Sequence, residues 1–315
     1  MQSARTPDHV VIHPLDSADA PIAAYAREAT KAAKGAKLGA EARGQYDAFL
    51  STVSPPEGVT FEDGAVGGVR GVWARPTNAP ADETMLYLHG GWFTLGSAQA
   101  YRLLVGQIAT RAGVSAFIPD YRLAPEHPFP AAVEDVLSCF RALGAQGMRR
   151  IVLAGDSAGG NLTLAVAARV AKEKNGADAK LVAAVAFSPV TDLTLSGASY
   201  ETRAEADPLF TRAQVADLVK SYLGGSDPKN PMASPLQADL SGLPPLRIHV
   251  GDDEVLLDDA LRFGARAAAA GVDARVDVWM GLGHGFILNV GKLRAANASL
   301  DAAGAFIAEK RRGGA

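Results

Sequence analysis

The stretch Arg150-Ile151-Val152-Leu153-Ala154-Gly155-Asp156-Ser157-Ala158-Gly159-Gly160-Asn161-Leu162 decides how this chain is read. Residues 151–154 form a continuous apolar run, as expected for a strand buried on both faces. From Asn161 to Val170, the residues Leu162, Ala165, Val166 and Val170 fall on one helical face. Between strand and helix there is room only for a sharp turn. A serine at such a turn is held on a strained backbone, and glycines two residues to either side let the chain pack that closely. The helix start adds unpaired main-chain N–H groups beside the hydroxyl, where negative charge is favoured. Ser157 is therefore the candidate nucleophile. In a chain with 33 glycines the G-x-S-x-G pattern alone decides little. The strand–turn–helix context carries the reading against that of a serine that only caps a helix.

Outward from this point, short β-rich runs alternate with helical ones. The strand candidates are Gly68–Ala74, Met85–His89, Ala116–Pro119, Ile151–Ala154, Val182–Phe187, Leu246–Val250 and Arg275–Trp279. Helices are expected over Ala98–Ala112, Ala131–Leu143, Ala158–Lys174 and Asp258–Ala270. Such alternation predicts an α/β fold with a parallel sheet. Two regions break the rhythm. Residues 1–50 include Ala23–Ala42, which has helix composition without a strong apolar stripe. Residues 192–235 are polar, hold a helix near Thr211–Tyr222, and end in Gly-, Pro- and Asn-rich turns. The expected organisation is an N-terminal arm (1–50), a first catalytic half (51–191), an insertion over the sheet (192–235) and a second catalytic half (236–315).

Of the 315 residues, 48% are hydrophobic and 21% charged, with a formal net charge of −3. That balance gives no electrostatic reason to expect nucleic acid or an anionic membrane as partner. The basic run Lys310-Arg311-Arg312 reads as a solvated helix end. The single cysteine, Cys139, lies in an expected helix and reads as a small buried apolar residue, and no intrachain disulfide can form. Residues 1–15 have no apolar core of signal-peptide length, and no stretch reaches the length of a membrane span. A cytoplasmic protein is the default expectation.

The stretch Leu86-Tyr87-Leu88-His89-Gly90-Gly91-Trp92 is a strand that ends in a histidine and two glycines. Acyl transfer builds negative charge on a former carbonyl oxygen, and preorganised N–H donors are its strongest stabilisers. Gly90 and Gly91 are candidate donors, with Ala158, the residue after the nucleophile, as the third. His89 reads as a loop brace rather than a base. Of the six histidines, His9 and His13 lie in the arm, His127 in a Pro-rich loop and His249 inside a strand run, where a satisfied core histidine is expected. His284 sits in Gly281-Leu282-Gly283-His284-Gly285-Phe286, a glycine loop after the last strand, and is the candidate general base. The acid that orients it should follow the strand Leu246–Val250. Asp258 and Asp259 suit the start of the next helix. Asp252, Asp253 and Glu254 remain, and spacing does not separate them.

Together these motifs resemble the hormone-sensitive-lipase-like family (family IV) of bacterial esterases. The resemblance runs from about residue 59 to 290 and rests on His89-Gly90-Gly91, Asp120-Tyr121-Arg122-Leu123-Ala124-Pro125-Glu126, Gly155–Gly160 with Asn161, and His284-Gly285-Phe286. It implies an α/β-hydrolase fold with a mostly parallel eight-stranded sheet and a helical cap made from the two irregular regions. It implies hydrolysis of short- to medium-chain carboxylic esters through an acyl-enzyme, with no metal or organic cofactor. The segment 192–235 and Glu254-Val255-Leu256-Leu257-Asp258-Asp259 look most like the branch with monoterpene lactone hydrolases, which adds a lactone-specific alternative. The family's Asp-Pro-Leu-Arg-Asp phrase, whose first residue is the triad acid, aligns with Glu254–Asp258. The resemblance thus selects Glu254 over Asp252, although it places a glutamate where an aspartate is usual.

Trp92 stands where the family has a third glycine, and reads either as a pocket wall or as packing under the cap. Asp120–Glu126 is expected to brace the oxyanion loop through buried ion pairs. The family also suggests a homodimer formed around Asn297–Glu309. A non-catalytic ligand-binding protein on the same fold would lack the histidine present here as His284.

Overall fold

The computed structural model describes residues 7–173 and 179–313. The first six residues of the expected arm and the last residue of the expected helix Ala158–Lys174 lie outside them. In chain order the strands are β1 (Val10–His13), β2 (Val59–Val66), β3 (Val69–Pro76), β4 (Glu83–Leu88), β5 (Ser115–Pro119), β6 (Arg150–Asp156), β7 (Lys180–Phe187), β8 (Leu246–Gly251) and β9 (Ala274–Trp279). The helices are α1 (Ala20–Lys31), α2 (Arg43–Leu50), α3 (Ala98–Ala112), α4 (Ala131–Ala145), α5 (Ser157–Val170), α6 (Ser199–Thr202), α7 (Arg212–Leu223), α8 (Leu257–Ala269) and α9 (Arg294–Arg312).

The strands form one sheet in the order β1-β9-β8-β7-β6-β4-β5-β3-β2. All neighbours are parallel except β2 with β3 and β3 with β5. The side-chain period of two splits the core between its faces. Along β4, Leu86 and Leu88 join one cluster with Val136 and Phe140 of α4, Leu162 of α5 and Phe263 of α8. Met85 and Tyr87 join the other, with Leu104 and Ile108 of α3 and Leu300 and Ile307 of α9. Central strands buried on both faces explain the continuous apolar runs. Helix ends follow local chemistry. Ser97 caps α3 by accepting from Ala100 N, and Gly113, at φ = +61°, stops it.

The sheet has nine strands, not the expected eight. The extra edge strand comes from the arm: Val10–His13 pairs with Val276–Trp279. Its register is fixed by side chains, since His13 Nε2 lies 2.7 Å from the buried Asp277 carboxylate and the ring stacks on Trp279 at 4.0 Å. β2 was also absent from the expected strands, because its outer face is polar and partly solvated. The expected helix Ala23–Ala42 is shorter at its C-terminal end. α1 ends at Lys31, and Gly35, at φ = +74°, turns the chain.

The arm and the insertion bond to each other above the strand ends. Gly35 N donates to Leu209 O at 3.1 Å, Arg27 Nη1 to Ala206 O at 3.1 Å, and Gln214 Nε2 to Ala36 O at 2.5 Å. No described helix is long and apolar enough to cross a membrane.

Candidate active site

Ser157 opens α5 immediately after β6, with φ = +53°. A side chain in this left-handed region is strained, by about 1–3 kcal/mol, and close packing holds it there. A Cβ at Gly155 would stand 2.5 Å from the Gly159 carbonyl oxygen, and one at Gly159 would stand 1.9 Å from the Leu88 carbonyl oxygen. Only glycine at both places lets the first turn of α5 press against the end of β4.

His284 hangs from the loop after β9, between Gly281 (φ = +70°) and Gly285 (φ = +74°). Its Nε2 lies 3.0 Å from Ser157 Oγ and its Nδ1 lies 2.8 Å from Glu254 Oε2. A carboxylate oxygen can only accept, so Nδ1 carries the proton and Nε2 is free to accept from the serine hydroxyl. Glu254 is fully buried. Its second oxygen accepts from Ser188 Oγ at 2.6 Å and from Gly251 N at 2.7 Å. Burial pushes the His284 pKa down. The Glu254 charge and hydrogen bond, with weaker help from Asp207 and Asp156, outweigh it and hold the imidazole above its usual value.

The other two acids left open by spacing are used elsewhere. Asp252 Oδ1 accepts from Gly281 N at 2.5 Å, pinning the start of the histidine loop, and Asp253 pairs with Arg27 of α1. Asp258 and Asp259 begin α8 as expected, and they also hold the insertion: Asp258 Oδ2 accepts from Ser199 N, and Asp259 Oδ1 from Thr191 N and Asp192 N.

The oxyanion loop departs from expectation at one residue. Gly90 N does not face the serine but donates to Asp156 Oδ1 at 3.0 Å. The carboxylate beside Ser157 uses that amide because it is buried and needs donors, and Tyr87 and Tyr101 hydroxyls supply two more, each at 3.0 Å. Burial still holds Asp156 up at about 6. The main-chain amides of Gly91 and Trp92 have no protein acceptor among the described residues. Gly91 (φ = +111°), Trp92 (φ = +52°) and Phe93 (φ = +61°) make three left-handed residues in succession. The Trp92 side chain is buried and meets Phe210 of the insertion edge-on at 5.4 Å. Phe210 in turn meets the His284 ring at 5.1 Å.

His89 braces this loop. Its Nδ1 lies 2.8 Å from Gly90 O, its ring stacks on Tyr121 at 4.2 Å, and Tyr121 Oη donates to its carbonyl at 2.6 Å. The segment 120–126 therefore acts through this tyrosine and through Asp120, which accepts from Ala98 N at 2.7 Å. Its ion pairs, Arg122 with Asp135 and Glu126 with Arg43, are partly exposed rather than buried, because both arginines reach out to solvent. His249 is buried beside Phe187 with burial holding it down at about 4, and only its Nδ1 has a partner, Trp279 Nε1 at 3.4 Å. Burial pushes the Cys139 thiol up to about 12, so it is unreactive. Ser188, Asp156 and Phe210 had no part in the sequence reading. Asp156 lies inside the decisive motif, whereas nothing local marks the other two.

Over residues 85–288 the chain matches the family described as alpha/beta hydrolase fold. It is 40% identical to an acetyl-hydrolase of Streptomyces hygroscopicus over 83% of this chain and 85% of that protein. It is 36% identical to a carboxylesterase/phospholipase of Mycobacterium tuberculosis over 72% of this chain and 62% of that one. Among solved structures, an esterase from the bacterial hormone-sensitive lipase family superposes with a TM-score of 0.85 at 37% identity, covering 94% of this chain and 98% of its own.

Proposed function

We propose a serine acyl-enzyme mechanism for this chain, which belongs to the α/β-hydrolase fold family, and within it to the hormone-sensitive-lipase-like esterases, and which is a carboxylic-ester hydrolase. Ser157 is the nucleophile. As its Oγ attacks the ester carbonyl, His284 Nε2 takes the hydroxyl proton, and Glu254 holds the imidazole in the right tautomer and stabilises its charged form. The oxyanion is received by the main-chain amides of Gly91, Trp92 and Ala158, the last lying in the first turn of α5. His284 then gives the proton to the leaving alcohol, and a water, activated by the same nitrogen, releases the acid. Hydroxyl, imidazole and amides supply the chemistry without a metal or organic cofactor.

The observation that carries this reading is His284 bridging Ser157 and Glu254 at 3.0 and 2.8 Å. Short- to medium-chain acyl esters are the proposed substrates, supported by a relative named acetyl-hydrolase and by the bulk of Phe210 beside the histidine, with Trp92 packed against Phe210. A cytoplasmic location and a homodimer through 297–309 belong to the same reading. Fractionation and sedimentation would test them. Release of p-nitrophenol from acetate through octanoate esters is expected to be readily measured and to fall by about 10⁴-fold or more in Ser157→Ala. Full activity in that variant would remove the mechanism.

A further inference from the structure

α2 reaches the oxyanion loop and its supports with three side chains inside about one helical turn, Arg43 and, three and four residues on, Tyr46 and Asp47. Arg43 Nε donates to Thr94 O at 2.8 Å, and its Nη2 donates to Ala124 O at 3.0 Å, while the guanidinium pairs with Glu126. Asp47 Oδ2 accepts at 2.8 Å from Ser97 Oγ, the hydroxyl that caps α3. The Tyr46 hydroxyl lies 2.9 Å from the Tyr101 hydroxyl, which donates to Asp156 Oδ2, and Asp156 Oδ1 accepts from Gly90 N. The loop is thus held at its start by the residue beside the nucleophile, and further along by a helix of the N-terminal arm.

The loop needs such restraint. Two of its three consecutive left-handed residues, Trp92 and Phe93, carry side chains, and each stores backbone strain that a free loop would relax away. Oxyanion amides stabilise the transition state only when already aimed at it. The packing leaves no slack for drift: a Cβ on Gly90 would stand 2.3 Å from Asp156 Oδ2, and one on Gly91 2.4 Å from the Leu95 carbonyl oxygen.

We propose that α2 is a clamp on the oxyanion hole, with Tyr46 and Asp156 as positioning residues that hold the Gly91 and Trp92 amides on target, so that acyl transfer depends on the arm being docked. The proposal rests on the acyl-enzyme reading above. It assigns the arm a role in the chemical step, beyond covering the substrate.

The test uses the full chain with Tyr46→Phe, which deletes one oxygen from a surface helix, and Asp156→Asn, which keeps an acceptor but removes the charge. Each is assayed for kcat and KM on p-nitrophenyl acetate and for inhibition by an alkylboronic acid, whose tetrahedral serine adduct places an oxygen in the oxyanion hole. Expected are kcat losses of about 5-fold and about 30-fold respectively, with KM within about two-fold. Boronate affinity should weaken by matching factors while the melting temperature stays within a few degrees. Unchanged boronate affinity in both variants, with Ser157→Ala dead, overturns the clamp and leaves the acyl-enzyme mechanism standing. Hydrolysis surviving in Ser157→Ala overturns both. The clamp also falls if kcat drops in either variant without the matching loss of boronate affinity.

Discussion

Glu254 Oε2 stands 2.8 Å from Nδ1 of His284, whereas Asp252, two residues earlier, points its carboxylate at Gly281 N. The two acids differ in what they hold: one orients the imidazole, the other the loop that carries it. Glu254→Gln presents the histidine with an amide that can donate as well as accept, which favours the wrong tautomer. It is expected to lower kcat by about 10³–10⁴-fold. Asp252→Asn keeps an acceptor for Gly281 N and is expected to cost no more than about five-fold. Parallel kinetics of the two variants check the assignment, and equal losses would count against it.

The acidic limb of the pH profile follows from the raised His284 pKa. The proposed mechanism needs the neutral imidazole, so kcat/KM should rise with pH through the free enzyme's His284 pKa, with a midpoint above the ordinary histidine value of 6.5. Burial alone would move it the other way. Because Glu254 supplies the largest opposing contribution, the limb in Glu254→Gln should shift to lower pH while the plateau falls. An acidic midpoint in that variant at or above that of the parent enzyme would show that the carboxylate does not set the histidine's charge.

Ser188 supports the proposed triad from outside it. It closes β7 at φ = +46° and donates to Glu254 Oε1 at 2.6 Å, sharing that oxygen with Gly251 N. Ser188→Ala leaves Oε1 of a fully buried carboxylate with one donor, Gly251 N, while Oε2 keeps His284 Nδ1. The expected cost is about 1–2 kcal/mol of stability, with a fall in kcat of about 5- to 10-fold. Thermal melting alongside kinetics checks both. A loss of activity as large as that of Glu254→Gln would mean that the glutamate has swung away altogether.

The central sheet and the strand–turn–helix around Ser157 were legible because local pattern and fold coincide there. Buried parallel strands must be apolar on both faces, and the elbow needs its glycines whatever the substrate. β1 was not legible because four residues carry little periodicity, and its place is set by Asp277 and Trp279, far away in sequence. Gly90 was misread for a related reason. Its sequence neighbours suit a donor, but its amide is taken by a carboxylate that the fold brings 66 residues back along the chain. The choice of Glu254 as the candidate acid needed the resemblance, and its neighbour Ser188 is a serine like any other until β7 and β8 lie side by side.

Trp92 gives a prediction in which stability and specificity move in different ways. Its backbone sits at φ = +52°, where glycine would relieve about 1 kcal/mol of strain. Its ring, however, is buried edge-on to Phe210, and emptying such a site costs about 3–5 kcal/mol. Trp92→Gly should therefore melt lower than the parent enzyme despite the more permissive backbone. The space released lies next to the ring that touches His284. The octanoate-to-acetate ratio of kcat/KM should rise by about 10-fold, in line with one or two extra methylenes accommodated at about 0.8 kcal/mol each. A p-nitrophenyl ester series run on both proteins measures this. If the variant is less stable but keeps the parent chain-length profile, the indole is cap packing and not a wall of the substrate pocket.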